Sequence, residues 1–250
     1  MRRVFAVVPA HNEAQTVTET VRALLALPAQ VVVVADACAD DTAERAREAG
    51  AAVLVRGGRG DKARALAKGL RWVAQQQPSD DDVVLLVDAD VGASAGEVAA
   101  LLDAVHRGEA DLAIGVLPPP SIPSHTVGAE RGTGGRGAER QGGFGLVVRF
   151  ARWVLQRRTG RRFRAPLSGQ RAIRWRTLRQ MSALAGGFGV EVGMSVDLMR
   201  LGAQVKEIDV CMTHRYTGRS WRGFLHRARQ GWHVLLAAVG RRQVKLWMHE

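Results

Sequence analysis

Four times in the first 117 residues, a short apolar run leads through a polar or glycine-rich loop into a segment with helical spacing. Val4 to Pro9 ends in Pro-Ala-His-Asn-Glu, after which Ala14, Val17, Val21, Leu24 and Leu25 recur at helical intervals. Val31 to Ala35 leads through Asp36 to Asp41 into a helix from about Thr42 to Gly50, which Asp41 is placed to cap. Ala52 to Val55 is followed by the turn Gly57 to Gly60 and a helix over Ala63 to Gln77, closed by Pro78. Val83 to Val87 enters Asp88-Ala89-Asp90, with a helix near Glu97 to His106 and a strand near Ala110 to Val116 beyond. Strands and helices alternating at this length need right-handed crossovers between parallel neighbours. The expected fold is therefore an α/β sandwich, Rossmann-like, with a mostly parallel sheet. Ligands in such sheets bind beyond the carboxyl ends of the strands. The loops Pro9 to Glu13, Asp36 to Asp41 and Asp88 to Asp90 all fall there and converge on one crevice.

The chain has 250 residues, enough for one sizeable core or two small domains, and it reads as one domain with an added C-terminal part. With 46% hydrophobic and 24% charged residues it reads as an ordinary globular protein, which excludes a disordered or fibrous chain. Cys38 and Cys211 form no paired-cysteine metal motif or disulfide framework and are expected as free thiols. Met1 to Ala10 lacks the features of a signal peptide and no run is long enough to span a membrane, so the cytoplasm is the expected compartment.

Charge is distributed unevenly: residues 1–125 carry a net −5 and residues 126–250 a net +17. A basic half suits an anionic partner, whether phosphate groups, acidic lipid headgroups or nucleic acid. Arginine outnumbers lysine 32 to 4, so genome composition is the competing explanation for the overall basicity. After Leu117 the texture changes. Pro118 to Pro120 and Pro123 break regular structure, and Gly128 to Gly145 is rich in glycine and arginine, which predicts a mobile segment. Beyond it, Leu146 to Gln156 and Val196 to Leu201 read as helix, and Ser168 to Trp175 includes a short strand. Trp221, Leu225, Ala228, Trp232, Leu235 and Val239 step by three and four, forming one apolar helical stripe with a basic opposite face.

Asp88, Ala89 and Asp90 follow a buried strand, and extended backbone there would put both carboxylates on one side. That arrangement suits Mg2+ or Mn2+, held by one or two carboxylates with phosphates and water completing the shell. Asp40, Asp41 and Thr42 read as helix-capping residues. Glycines before the Leu146 helix, in Gly134-Gly135-Arg136-Gly137 and Gly142-Gly143-Phe144-Gly145, could bare backbone N–H groups to a phosphorylated acceptor or form a surface loop without a ligand.

Val7-Val8-Pro9-Ala10-His11-Asn12-Glu13, Ala35-Asp36-Ala37-Cys38-Ala39-Asp40-Asp41-Thr42 and Asp88-Ala89-Asp90, in that order and spacing, resemble the family 2 glycosyltransferases of GT-A fold. The resemblance spans roughly residues 1–117, which it makes the nucleotide-sugar-binding half, with 118–220 on the acceptor side and 221–250 a C-terminal helical extension. It implies that Pro9, Asn12, Glu13 and Asp36 line the nucleotide pocket, Asp36 near the base, with Asp88 near ribose or metal and Asp90 on the metal. Ala35 stands where many members carry a second acidic residue. Lys62, in Arg59-Gly60-Asp61-Lys62, resembles the family's Gly-Lys segment and would reach a base or phosphate from a helix start, or be solvated.

Pro166-Leu167-Ser168-Gly169-Gln170 and Gly187-Phe188-Gly189-Val190-Glu191-Val192-Gly193 more loosely resemble the glucosyl-3-phosphoglycerate synthases and polyprenyl-phosphate sugar transferases. This implies that the first segment shapes the acceptor side and that Glu191 lies near the reacting centre as a base or hydroxyl-positioning group; otherwise Glu191 is a helix-start residue favoured by the dipole. His214 resembles the histidine that adds a metal ligand in related transferases, and Arg215 and Arg219 could hold the diphosphate by fork-shaped hydrogen bonds.

The expected activity is transfer of a hexose from a nucleotide diphosphate sugar, with a UDP-sugar as the expected donor, to a phosphorylated small molecule or a polyprenyl phosphate. Asp90 and Glu191 carry the chemistry, and Mn2+ or Mg2+ is the cofactor. A nucleotidyltransferase would place a glycine-rich basic loop after the first strand, where this chain has Pro9 to Glu13. A nucleic-acid-binding module would leave the three acidic loops unexplained, so no nucleic acid partner is expected. The Trp221 to Val239 stripe could rest on an anionic membrane at the inner face, pack on the sheet, or meet a second subunit in a homodimer.

Overall fold

The apolar runs form the strands of one sheet. The computed structural model describes residues 2–118, 144–186, 189–212 and 243–247. In chain order the elements are β1 (Val4–Ala10), α1 (Val17–Leu25), β2 (Ala29–Asp36), α2 (Thr42–Glu48), β3 (Ala52–Arg56), α3 (Lys62–Gln75), β4 (Val83–Leu86), α4 (Ala99–His106), β5 (Leu112–Val116), α5 (Phe144–Thr159), β6 (Arg171–Arg174), α6 (Trp175–Leu178), β7 (Ala183–Ala185), α7 (Val190–Arg200), β8 (Val205–Asp209) and β9 (Gln243–Lys245). A 3-10 segment, Gly92–Val98, runs directly into α4.

Seven strands lie in the order β3-β2-β1-β4-β6-β5-β8, and β7 pairs separately with β9. β1 is parallel to β2 and β4, β2 to β3, and β5 to β8, while β6 runs antiparallel between β4 and β5. Alternation along β1 sends Val4, Ala6 and Val8 to one face, against Val17, Val21 and Leu24 of α1 and Leu101 of α4. Phe5 and Val7 face the other way, against Leu66, Leu70 and Val73 of α3 and Val190, Met194 and Leu198 of α7. Strands covered on both faces become the continuous apolar runs seen in the sequence. The α/β/α sandwich with a mostly parallel sheet is present as expected.

The antiparallel β6 decides where the second half of the chain contributes to the cleft. Leu86 of β4 pairs with Arg171 of β6, so the start of β6 meets the carboxyl end of β4. Residues 168–171 thereby reach the cleft edge alongside the loops after β1, β2 and β4.

Two local expectations need correction. Asp41 occupies the N-cap position of α2 but makes no capping hydrogen bond, because its carboxylate accepts instead from Arg45 Nε at 2.7 Å. Asp40 takes over, accepting from the backbone N of Thr42 at 3.2 Å and from the Thr42 hydroxyl. The Asp-Ala-Asp triplet does not lie on extended backbone. β4 stops at Leu86 and the chain turns at Ala89 and Asp90. Ala89 is nevertheless buried while Asp88 and Asp90 are half-exposed, so the alternation survives in burial. Thr20 holds this turn from below: its hydroxyl donates to the Ala89 carbonyl and accepts from Gly92 N, both at 2.9 Å.

Among the described residues no helix is long and apolar enough to cross a membrane. Both cysteines are free thiols. The Gly128 to Gly145 segment, apart from the backbone of Phe144 and Gly145, and the Trp221 to Val239 stripe lie outside the described residues.

Candidate active site

Lys62 is the first residue of α3, placed there by Asp61, whose carboxylate caps the helix by accepting from Ala63 N at 3.0 Å and Arg64 N at 3.3 Å. From this start the Lys62 ammonium reaches Asp88 Oδ1 at 2.7 Å and Glu191 Oε1 at 2.8 Å. One cation therefore bridges a carboxylate from the loop after β4 and one from the first turn of α7. Burial disfavours the ammonium, but the charges of Asp88 and Glu191 outweigh it and hold the Lys62 pKa above its ordinary value. The Lys62 side chain is 36% exposed, and its ammonium is engaged by both carboxylates.

Asp88 is gripped on its other side as well. Gln170, fully buried, donates from Nε2 to Asp88 Oδ2 at 3.0 Å and accepts from Asp88 N at 3.3 Å. Gly169 permits the contact: a Cβ there would stand 2.4 Å from Asp88 Oδ2. Beneath the ion pairs lies a small pocket lined by Pro9, Lys62, Asp88, Arg171 and Glu191, with Leu66 and Met194 as apolar walls.

Glu13 and Asp90 form a second acidic centre. Burial, and then the negative charge of Asp90, raise the Glu13 carboxyl above its ordinary value. A half-buried carboxyl whose charge is disfavoured by a neighbouring carboxylate marks a field that a divalent cation would relieve. Among the described residues no three His, Cys, Asp or Glu side chains group as a metal site. The oxygen donors fit Mg2+ or Mn2+ held by one or two carboxylates, with the remaining ligands from elsewhere.

The other predicted pocket residues serve the loops. Asp36, 3% exposed, pairs with Arg56 Nε at 2.5 Å and accepts from Asp61 N at 2.6 Å, so it ties the end of β2 to the start of α3. Asn12 adopts a φ of 57° and accepts from Ala39 N at 2.8 Å, joining the loops after β1 and β2. Sequence reasoning placed Gln170 only within the Pro166 to Gln170 segment on the acceptor side, not against Asp88, and missed Thr20 and Arg171. The signal was faint: Arg171 opens the four-residue strand Arg171-Ala172-Ile173-Arg174, in which arginines flank only two apolar residues. His214, Arg215 and Arg219 lie outside the described residues, as do Gly187 and Phe188.

Residues 5–158 match the family model described as Glycosyl transferase family 2. The chain belongs to glycosyl transferase family 2. This glycosyltransferase is similar in structure to glucosyl-3-phosphoglycerate synthase from Mycobacterium tuberculosis in complex with phosphoglyceric acid. The TM-score is 0.69 at 25% identity, over 96% of this chain and 80% of that one. The same synthase in complex with Mg2+ and UDP gives a TM-score of 0.69 at 25% identity and the same coverage. Its complex with Mn2+, UDP-glucose and glycerol 3-phosphate gives 0.67, again at 25% identity over 96% and 80% of the two chains. No curated protein matches the sequence significantly. In this family 2 glycosyltransferase, then, the Lys62, Asp88 and Glu191 cluster stands at the carboxyl edge of the sheet, where the fold class binds its ligands.

Proposed function

We propose that this glycosyltransferase moves a hexose from a UDP-sugar to the hydroxyl of a small phosphorylated acid. The observation that carries the reading is the ion-paired cluster of Lys62, Asp88 and Glu191, built from three separate segments beside the acidic pair Glu13 and Asp90. The relatives solved with UDP-glucose, glycerol 3-phosphate and phosphoglyceric acid support the choice of donor and acceptor.

Mg2+ or Mn2+, bound through Asp90 with Asp88 and His214 as further candidates, would supply charge neutralisation for the departing diphosphate. Pro9, Asn12, Glu13 and Asp36 shape the nucleotide side. In this reading Asp36 acts through the loop it ties to α3, because both its oxygens are engaged. Arg215 and Arg219 are assigned to the diphosphate by their chemistry alone. Glu191 faces the acceptor, where a carboxylate orients the attacking hydroxyl or takes its proton. Lys62 holds the Glu191 and Asp88 carboxylates in place between turnovers and is positioned to follow the negative charge that develops on the donor.

The test is a transfer assay with UDP-glucose and 3-phosphoglycerate in Mn2+, reading release of UDP, with the Asp90→Ala variant as control. The reading expects metal-dependent release that Asp90→Ala abolishes without a change in melting temperature. Unchanged turnover in Asp90→Ala would sink the metal assignment, and no turnover by the parent with UDP-, GDP- or ADP-sugars would sink the donor assignment.

A further inference from the structure

Arg171 is the largest fully buried side chain of the molecule's described part, 1% exposed, and no carboxylate among the described residues lies within ion-pair distance of it. Its Nε donates to the Ser168 carbonyl at 2.9 Å, and its Nη1 donates to Ser195 Oγ at 3.0 Å. Ser195 in turn donates to the Glu191 carbonyl at 2.9 Å, so the guanidinium plane is fixed to the same turn of α7 that presents Glu191. Nη2 is buried and has no hydrogen-bond partner. A guanidinium carries five donors in a rigid fork, and leaving one arm buried and idle is costly. Burial lowers the Arg171 pKa to about 10 against the opposing charges of Glu191 and Asp88, which leaves it a cation at neutral pH.

The pocket that Arg171 lines is small, about 10 Å3, and its wall includes Asp88 and Glu191. Its size admits one water or one hydroxyl. The two carboxylates disfavour an anion there, whereas a hydroxyl can accept from the guanidinium and donate to a carboxylate. We infer that Arg171 is a donor-sugar specificity residue, whose Nη2 donates to one hydroxyl of the hexose being transferred while Ser168 and Ser195 hold its plane. This inference rests on the proposed UDP-sugar reading and names the group that recognises the sugar within it.

The experiment compares the full-length parent, Arg171→Lys and Arg171→Met by calorimetric titration in Mn2+ with UDP, UDP-glucose and UDP-glucose lacking one hydroxyl at a time. Both variants should bind UDP within about twofold of the parent and UDP-glucose about tenfold more weakly, as expected for losing one hydrogen bond to a charged donor. One deoxy-sugar should bind the parent about tenfold more weakly, and Arg171→Lys should not discriminate against it. If Arg171→Met fails to melt cooperatively, the deoxy-sugar series on the parent and Arg171→Lys carries the comparison. Equal losses for UDP and UDP-glucose, or none, would show Arg171 to be only a buried brace and overturn the inference. A parent that binds neither UDP nor UDP-glucose fails the donor reading itself, and the Arg171 inference falls with it.

Discussion

Gly169 shows how closely one atom position is specified. The absent Cβ is what lets Asp88 stand between Lys62 and Gln170, and a Gly169→Ala methyl would lie 2.4 Å from Asp88 Oδ2 and 2.7 Å from Oδ1. The methyl can be relieved only by turning the carboxylate off Gln170 or Lys62, since both oxygens are committed. We expect Gly169→Ala to lower kcat about 10- to 100-fold, the scale of a misplacement near 1 Å. Its urea midpoint should stay close to the parent's, because the cleft can take up the displaced side chain. Steady-state kinetics beside chemical denaturation check this; wild-type turnover would mean that Asp88 is not needed in this orientation. At this scale the sequence was half legible. The carboxylates Asp88, Asp90 and Glu191 announce themselves by following a buried strand or matching a family segment. Arg171 does not, and Gln170, although it closes a family-like segment, shows no tie to Asp88 until that residue, 82 positions away, is brought alongside.

Elements follow from period and punctuation, and this is where the sequence was most readable. Runs of β-branched residues gave β1, β2, β3 and β4, and apolar spacing gave α1 and α3 within a few residues of their ends. The direction of β6 was not readable, since the four residues Arg171-Ala172-Ile173-Arg174 carry no sign of whether their neighbours run parallel. That direction is what brings Gln170 to Asp88. The packing of α3 on β1 supplies a test at this scale. Gly69 faces the sheet with a Cβ position only 2.4 Å from Val7 Cγ1 and 3.2 Å from Val34 Cγ2, both on fully buried side chains. Gly69→Ala gains roughly 1 kcal/mol of helix propensity but overpacks the core by about 1–3 kcal/mol. The expected net is a destabilisation of about 1 kcal/mol, measured by urea unfolding. A more stable variant would mean that α3 can lift from β1 at no cost.

Across the whole molecule, the edge of the sheet opposite the cleft is laced by ion pairs. Asp82, 1% exposed, accepts from Arg3 N at 2.9 Å, Arg3 Nε at 3.0 Å and Ser79 N at 2.8 Å, joining the entries to β1 and β4. Arg174, buried at the end of β6, meets Asp81 at 3.2 Å and Asp111 at 3.5 Å, and Glu109 meets Arg107 and Lys206, each at 2.6 Å. Burial would raise the Asp82 carboxyl, but hydrogen bonds from Arg3 and Ser79 outweigh it and hold the pKa below the ordinary value. Hydrogen bonds from Lys206 and Arg107 bring Glu109 down to about 2. For groups depressed in the folded state, the stabilisation is fully present above their unfolded pKa values and is lost as pH falls through the folded ones. Urea midpoints should therefore hold steady above about pH 5 and decline progressively between about pH 4 and pH 2. Asp82→Asn should lower the midpoint at pH 7, because Arg3 and Ser79 lose a charged acceptor, and should make the acid decline shallower. The two midpoints should draw together as pH falls through the depressed folded-state pKa of Asp82, because the parent then loses the same charge. An Asp82→Asn deficit that persists undiminished through the whole acid decline would place the effect in packing at this edge and remove the carboxylate's charge from the account.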